Sequence, residues 1–158
     1  MKHLKIGQKA PSFTAKIEDG SERSLSDFKG QALVIYFYPK DNTPGCTIQA
    51  CNLRDHYSAL LKENIAVLGV SADDEKAHQK FIQKFDLPFP LIADVDRKLI
   101  ELYGVWGEKQ FMGKTYDGIH RTTFVLDPAH TIIGIIEKPK TKDHAQEILE
   151  IFEKNKTT

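Results

Sequence analysis

Residues 33–51 read LVIYFYPKDNTPGCTIQAC, and this stretch sets the fold of the 158-residue chain. Its first part, Leu33–Tyr38, is continuously apolar and rich in aromatic and β-branched side chains, which is typical of a central strand buried on both faces. Residues 39–44 begin and end with a proline and are predicted to be a loop. From Gly45 to about Lys62, apolar side chains recur at helical spacing. The stretch therefore predicts a buried strand, a loop and a helix.

Strands and helices alternate outward from this unit. We predict strands at 12–17, 65–71, 91–93, 121–126 and 131–137, and helices at 74–85, 96–103 and about 142–154. Residues 105–120, rich in glycine and aromatic side chains, are predicted to be a polar loop. The early alternation favours parallel strands and the two last strands favour an antiparallel pair. The chain is therefore predicted to be an α/β protein with a mixed β-sheet flanked by helices, an order that a thioredoxin-like fold fits.

The charge balance argues against two classes of partner. Basic and acidic residues each number 22, so the formal net charge is zero, whereas nucleic-acid and membrane-surface binding needs a basic excess or patch. No segment approaches the ~20 apolar residues of a membrane span. The first residues, MKHLKIGQKAPSF, lack the apolar core of a secretory signal, which predicts a cytoplasmic protein. Because thiols stay reduced there, two cysteines favour redox chemistry or metal binding over a structural disulfide.

Cys46 lies where a helix is predicted to begin. Thr43 is a good N-cap residue and Pro44 suits the first helical position, which places Cys46 third in the helix. Backbone N–H groups in that first turn lack partners within the helix, and the helix dipole presents its positive end, so the thiolate form is favoured. A lower thiol pKa by itself speeds the reaction only slightly. If the pKa falls from ~8.5 to ~6, the thiolate fraction at pH 7 rises about 30-fold, but the nucleophilicity of the thiolate falls roughly 13-fold. A fast enzyme therefore needs further donors aimed at the developing charge.

Cys51 follows Cys46 by five residues. On an ideal helix this offset separates the two Cα atoms by roughly 8.6 Å. A disulfide requires Cα atoms within about 7 Å of each other. The two cysteines therefore cannot bond while the helix is intact, and a disulfide between them would require its first turns to unwind.

Other interpretations of the two cysteines remain open on the residues alone. Cys51 could be a small buried apolar residue and Cys46 a residue at a helix start. A zinc site lacks two ligands, since none of the six histidines stands at a matching spacing, and we predict these histidines to be surface residues. A C-x-x-C motif, a nucleophile elbow and a phosphate loop are all absent from the sequence.

The site stretch resembles a known family. Pro39, Thr43 and Cys46 fit the P-x-x-x-T-x-x-C signature of peroxiredoxins, and the C-x4-C pair resembles the peroxiredoxin Q subgroup, also called bacterioferritin comigratory protein. The likeness covers nearly the whole chain, through IGQKAPSF, LSDFKG, LGVSAD, FPLIAD and YGVWGEKQFMGKTYDGIHRTTFVLD.

The resemblance implies a single thioredoxin-fold domain over residues 1–158 and assigns residue roles. Cys46 matches the peroxidatic cysteine and Cys51 the resolving cysteine. Thr43 and Arg121 match the active-site hydrogen-bond donors, and Pro39 matches the residue that shields the pocket. The subgroup likeness also implies a monomer.

The resemblance further implies an antioxidant thiol peroxidase that reduces hydrogen peroxide and organic hydroperoxides to water and alcohols. Cys46 would pass through a sulfenic acid to a Cys46–Cys51 disulfide, which thioredoxin or a similar dithiol protein would reduce, with no metal or organic cofactor. One departure is Gln49, because the broad family pattern has a glutamate three residues after the peroxidatic cysteine. Trp106 and Phe111 are candidates for the pocket wall, with packing in the core or a loop as the favoured interpretation. The rival functions are a redox sensor, whose disulfide alters a partner surface, and a general disulfide oxidoreductase.

Overall fold

The computed structural model describes residues 4–156, and over that range the chain forms nine β-strands and five α-helices. The strands are β1 (Thr14–Lys16), β2 (Glu22–Ser24), β3 (Ala32–Phe37), β4 (Ile65–Ser71), β5 (Leu91–Ala93), β6 (Trp106–Phe111), β7 (Lys114–Ile119), β8 (Thr122–Leu126) and β9 (Ile132–Ile136). The helices are α1 (Pro44–Asp55), α2 (Tyr57–Lys62), α3 (Glu75–Phe85), α4 (Lys98–Leu102) and α5 (His144–Lys156). Short 3-10 helices occupy Leu25–Phe28 and Thr141–Asp143.

The main sheet has five strands in the order β5-β4-β3-β8-β9. Strand β4 pairs in parallel with β3 and β5, whereas β8 pairs antiparallel with both β3 and β9. Every residue of β3 and β4 is buried, because helices cover both faces of the sheet. The predicted mixed sheet is confirmed, and its order places the end of β3 beside the start of β8.

Two apolar clusters occupy the two faces of this sheet. One contains Leu33, Ile35 and Phe37 of β3 together with residues of α4. The other contains the alternate residues of β3, among them Tyr36, and receives α1, α2, α3 and α5. The predicted helices on both faces are therefore confirmed. Among residues 4–156, no helix has the length and apolar character needed to cross a membrane.

The long helix predicted over 45–62 is two helices. Helix α1 starts at Pro44 and ends at Asp55, and α2 follows after His56, whose backbone leaves the helical region. The Nδ1 atom of His56 lies 2.9 Å from the carbonyl oxygen of Asn52, so the imidazole competes with the backbone for that acceptor. Apolar spacing continues across the break, with Leu53 and Leu60 both buried, and the sequence pattern could not reveal it.

The loop predicted over 105–120 is a β-hairpin, and that prediction is wrong. Strands β6 and β7 pair antiparallel from Trp106↔Ile119 to Phe111↔Lys114. Met112 and Gly113 join them, and both have positive φ, as a two-residue hairpin turn requires. The hairpin escapes the sequence pattern because most of its side chains are exposed, which removes the apolar alternation that marks a strand. Strand β2 escapes it as well, since its three residues, Glu22–Ser24, are all polar.

Candidate active site

The site forms where β3 ends and α1 begins. Thr43 is the N-cap residue of α1, Pro44 is the first helical residue and Cys46 is the third, as predicted. Cys46 is only 1% exposed and packs in the apolar cluster under α1. The N–H groups of Gly45 and Cys46 lie in the first turn, where no acceptor exists within the helix. The sulfur therefore lies in a dry environment at the positive end of a helix.

Arg121 brings a fixed positive charge to this sulfur. It immediately precedes β8, whose first residue Thr122 is in register with Phe37 of β3. Its Nη2 atom donates to Cys46 Sγ over 3.1 Å, and its Nη1 atom donates to Gln49 Oε1 over 2.6 Å. One guanidinium thus bridges two residues on the same face of α1.

Gly45 and Gln49 define the space that the Arg121 guanidinium occupies. A Cβ atom on Gly45 would lie 3.3 Å from Arg121 Nη2, so the glycine leaves room for the arginine. Gln49 is fully buried, and its neutral amide accepts from Arg121 without forming an ion pair. The other amide atom, Nε2, is buried and finds no hydrogen-bond partner among residues 4–156.

Thr43 occupies the N-cap position of α1, but its hydroxyl bonds within the preceding loop. Its side chain makes no capping hydrogen bond to α1, although its backbone occupies the N-cap position. The hydroxyl instead donates to the carbonyl oxygen of Lys40 over 2.9 Å, which folds the loop onto itself. Pro39 lies half-buried at the start of this loop, directly after the buried Tyr38. The predicted cap position is confirmed.

Cys51 lies on the same helix as Cys46 and is half-buried. Both cysteines are free thiols, and α1 is continuous between them. This is the reduced arrangement in which an intact helix keeps the two sulfurs apart, as the helical geometry requires. The unwinding that a disulfide would need stays a prediction.

Asp41 fixes the loop before α1 through a buried ionic contact. Its Oδ1 accepts from the Tyr38 hydroxyl over 2.5 Å, and its Oδ2 lies 2.6 Å from His78 Nδ1. The His78 Nε2 atom lies 2.9 Å from the carbonyl oxygen of Ile92, so both ring nitrogens face acceptors. Burial alone lowers the pKa of His78, but the hydrogen bond and negative charge of Asp41 outweigh it and the net shift is upward. Two oxygen acceptors facing the two ring nitrogens are the arrangement that suits a buried imidazolium.

The same group has the residue types of a metal site. Among residues 4–156, Asp41, Asp73 and His78 bring ligand atoms within 4.8 Å of one another. Asp73 Oδ2 already accepts from the Asp41 backbone N–H and from the Ser71 hydroxyl, and His78 has no free ring nitrogen. A metal ligand histidine must offer a lone pair, so these residues form a hydrogen-bond network and do not fit a metal.

The prediction that the histidines lie on the surface is wrong for two of them. His78 and His144 are fully buried, while His3 lies outside the described residues. His144 Nε2 lies 2.8 Å from the Thr123 hydroxyl oxygen, and its Nδ1 lies 3.0 Å from Glu147 Oε1. A sequence signal existed for His78, because it stands three and seven residues before Phe81 and Phe85 on the apolar face of α3.

Lys109 is a second cation near the site, and sequence reasoning missed it. It lies on β6, and its Nζ atom donates to the carbonyl oxygen of Ile119 over 2.9 Å. Burial, followed by the positive charge of Arg121, lowers the pKa of Lys109, and the negative charge of a Cys46 thiolate acts in the opposite direction. Its position is hidden in the sequence because the residue pattern predicts a loop where the hairpin lies.

The two aromatic candidates for the pocket wall lie elsewhere. Trp106 packs against the core, and the Arg97 guanidinium lies 4.2 Å from its ring centroid, which confirms the packing interpretation. Phe111 is 65% exposed at the end of the hairpin, beside Met112 at 86%. Phe111 therefore neither packs in the core or a loop nor forms part of the pocket wall.

Comparison with known proteins gives one consistent family. The family model described as AhpC/TSA matches residues 6–135. The chain is 46% identical over 149 residues to peroxiredoxin Bcp of Escherichia coli strain K12, covering 94% of this chain and 96% of that protein.

Two solved structures extend the likeness to the fold. A cysteine-to-serine mutant of Xylella fastidiosa PrxQ superposes with a TM-score of 0.91 at 33% identity, over 98% of this chain and 99% of that one. The bacterioferritin comigratory protein of Xanthomonas campestris, solved in trapped intermediate/ligand complexes that bear on its alkyl peroxide reduction, gives a TM-score of 0.84 at 34% identity, over 90% and 91% of the two chains.

Proposed function

This chain belongs to the AhpC/TSA family and is a peroxiredoxin, a peroxidase of the oxidoreductase class, and we propose that it reduces hydrogen peroxide and organic hydroperoxides through Cys46. The general activity, that of a thiol peroxidase with a thioredoxin-like fold, follows from the family. The residue roles, the disulfide and the reductant are the proposal.

In the first step the Cys46 thiolate attacks one oxygen of the peroxide. A sulfur–oxygen bond forms, the O–O bond breaks, and the other oxygen leaves as hydroxide or alkoxide and takes up a proton. The sulfur loses two electrons and becomes a sulfenic acid. Arg121 supports this step because its charge, 3.1 Å from the sulfur, stabilises the thiolate and faces the charge that develops on the departing oxygen.

Thr43 and Pro39 are proposed to complete the peroxide pocket. The Thr43 hydroxyl already donates a hydrogen bond to the carbonyl oxygen of Lys40, so its oxygen lone pairs are left to accept a hydrogen bond from the O–H of a peroxide. Pro39 offers no N–H and lies half-buried in the same loop, which suits a residue that limits water near the sulfur.

In the second step α1 unwinds locally and the Cys51 thiol attacks the Cys46 sulfur. A disulfide forms, and the sulfenic oxygen leaves as water with the thiol proton. Two electrons and two protons from thioredoxin, or a similar dithiol protein, then restore both thiols by disulfide exchange. We propose this order because an intact α1 prevents contact between the two sulfurs.

The single observation that carries the proposal is the Cys46–Arg121–Gln49 contact at the start of α1. A buried thiol in a structural role needs no guanidinium on its sulfur. Desolvating Arg121 over a sulfur is costly unless that sulfur is negatively charged.

Intact mass after one equivalent of peroxide tests the proposal. We expect wild-type protein to lose two hydrogens, Cys51→Ser to gain one oxygen that a sulfenate-trapping reagent captures, and Cys46→Ser to remain unchanged. Cys46→Ser that still consumes peroxide would contradict the proposal.

Steady-state peroxide consumption with thioredoxin and its reductase provides the second measurement. Wild type is expected to turn over continuously and Cys51→Ser to stop after one oxidation. A redox sensor would oxidise slowly and show no sustained turnover, and Cys51→Ser that cycled normally on thioredoxin would remove the resolving role.

A further inference from the structure

The two parts of α1 before and after Cys51 are held by different contacts. The N-terminal part, residues 44–51, contains both cysteines, and the Arg121 side chain holds it from one side through Cys46 and Gln49. Ile48, between the cysteines, is 40% exposed. Oxidation of Cys46 removes the thiolate that attracts Arg121, so this part loses a contact in the reaction itself.

The C-terminal part, residues 52–55, is fixed from the residue that follows Cys51. The Asn52 side-chain Nδ2 donates to the carbonyl oxygen of Lys142 over 2.7 Å, and its Oδ1 accepts from the Ala145 N–H over 2.8 Å. Ala145 is the second residue of α5, and its N–H has no acceptor within that helix. Asn52 thus caps α5 from α1, across at least 90 residues of sequence.

The next two residues add independent contacts. Leu53 is completely buried, and Arg54 Nη1 donates to the carbonyl oxygen of Phe85, at the end of α3, over 2.7 Å. None of these contacts uses the backbone hydrogen bonds of the first two turns of α1. They remain possible when residues 44–51 leave the helix.

The chain is also fixed before α1. Asp41 is held by the Tyr38 hydroxyl and the His78 imidazolium through its side chain, and by Asp73 through its backbone N–H. Residues 42–51 therefore span the interval between two fixed positions. Both cysteines lie in this interval, and Cys51 is its last residue.

We propose that Asn52 is a positioning residue that ends the unwinding of α1 immediately after Cys51, so that the Cys51 thiol stays in place and Cys46 moves to it. The inference rests on the proposed Cys46–Cys51 disulfide. Closing the gap from the helical separation to disulfide distance requires a displacement of only a few ångströms, on the order of 2–3 Å between Cα atoms. Because Cys51 is held in place, only the Cys46 sulfur has to move for the disulfide to form.

Amide hydrogen exchange of the reduced protein reads the boundary directly. Each helix amide is bonded to the carbonyl oxygen four residues earlier, so opening that stops at Asn52 frees the amides of residues 47–55. In wild type we expect these amides to exchange about ten-fold or more faster than those of His56 and Leu60, whose acceptors are the carbonyl oxygens of Asn52 and His56. In Asn52→Ala, the amides of His56, Leu60 and Ala145 should exchange roughly 5- to 30-fold faster, as the loss of one or two hydrogen bonds predicts.

Gln79→Ala is the matched control. Gln79 also joins a helix to a distant carbonyl through its side-chain amide, with Nε2 donating to Glu18 over 2.7 Å, but it lies on α3 away from both cysteines. This variant should leave exchange in α1 unchanged. In wild type, equal exchange rates for residues 47–55 and for His56 and Leu60 would overturn the proposal, and so would unchanged exchange of His56 and Leu60 in Asn52→Ala.

A second measurement separates positioning from simple destabilisation. At fixed excess peroxide and with thioredoxin cycling, intact mass gives the fraction of Cys46 that reaches sulfinic acid. Loss of positioning slows attack by Cys51, so this fraction should rise in Asn52→Ala, whereas easier unwinding alone would lower it. A lower fraction would overturn the inference. Absence of any disulfide in wild type would instead refute the proposed function, and the exchange boundary would still be measurable.

Discussion

Arg121 shows how one side chain organises the site at the residue scale. Its two donors bind Cys46 Sγ and Gln49 Oε1 at once, and a planar guanidinium is the side chain that can do so with fixed geometry. Gln49 accepts without a negative charge, unlike the glutamate of the broad family pattern. The charge of Arg121 is therefore not shared with a carboxylate at this position and acts on the sulfur.

Replacing Arg121 tests whether its charge acts on the Cys46 sulfur. Arg121→Met removes a charge-assisted donor from the sulfur and should lower the second-order rate of Cys46 oxidation by roughly 10- to 100-fold. Arg121→Lys keeps the charge but has one nitrogen in place of a fork, so it should recover only part of the rate. Stopped-flow oxidation by hydrogen peroxide measures both, and a Met variant that reacts as fast as wild type would contradict the role.

Helix α1 carries the chemistry at the element scale. In the proposed mechanism its first turn presents Cys46 to the peroxide, and the same turn opens before Cys51 reacts. The stability of this turn therefore sets how long the sulfenic acid waits, and with it the chance of further oxidation.

Ile48 is exposed and lies between the two cysteines, so replacing it changes the stability of the first turns of α1 without altering either cysteine. Glycine costs a helix about 1 kcal/mol relative to alanine, so Ile48→Gly should favour unwinding roughly five-fold over Ile48→Ala. We expect faster disulfide formation and less sulfinic acid in the glycine variant, measured by intact mass over time. The same alanine and glycine pair at Lys80, an exposed residue of α3, should leave the partition unchanged. Equal partition in the two Ile48 variants would show that unwinding does not limit resolution.

The β6–β7 hairpin is the element that sequence patterns described least well. It brings Lys109 towards Arg121 and leaves Phe111 and Met112 in solvent at its tip. Its strands lack an apolar face of their own, and only the Met112-Gly113 turn marked them locally. The main sheet, by contrast, was predictable because β3 and β4 are buried along their whole length.

Two buried histidines affect the pH dependence of the free energy of unfolding in opposite directions. The pKa of His78 is raised, as the partnership with Asp41 outweighs burial, so the folded state holds its proton more tightly than the unfolded state. Burial lowers the pKa of His144, and repulsion by Arg121 adds to this against the attraction of Glu147. The folded state therefore stabilises the charged form of one histidine and the neutral form of the other.

The pH dependence of unfolding follows from these signs. The His78 contribution is complete below the unfolded pKa of about 6.5 and is lost as pH rises through the higher folded pKa. The His144 contribution is complete above about 6.5 and is lost as pH falls towards the lower folded pKa. Together they place a maximum of stability near that pH.

Urea unfolding across a pH series measures this effect. In His78→Gln the loss of stability with rising pH should disappear, and in His144→Gln the loss with falling pH should become shallower. A His78→Gln curve parallel to that of wild type above about pH 6.5 would show that His78 is not the buried imidazolium.

The sequence by itself determined what depends on neighbouring residues: the buried strands, the start of α1 and the third-position placement of Cys46. These follow from apolar runs, a cap residue and a proline, which act over a few residues. Tertiary structure decided the rest, because strand order brings together residues far apart in sequence. The contacts of Arg121 with Cys46, of His78 with Asp41 and of Asn52 with α5 each join residues more than 30 positions apart, and no local pattern specifies such pairs.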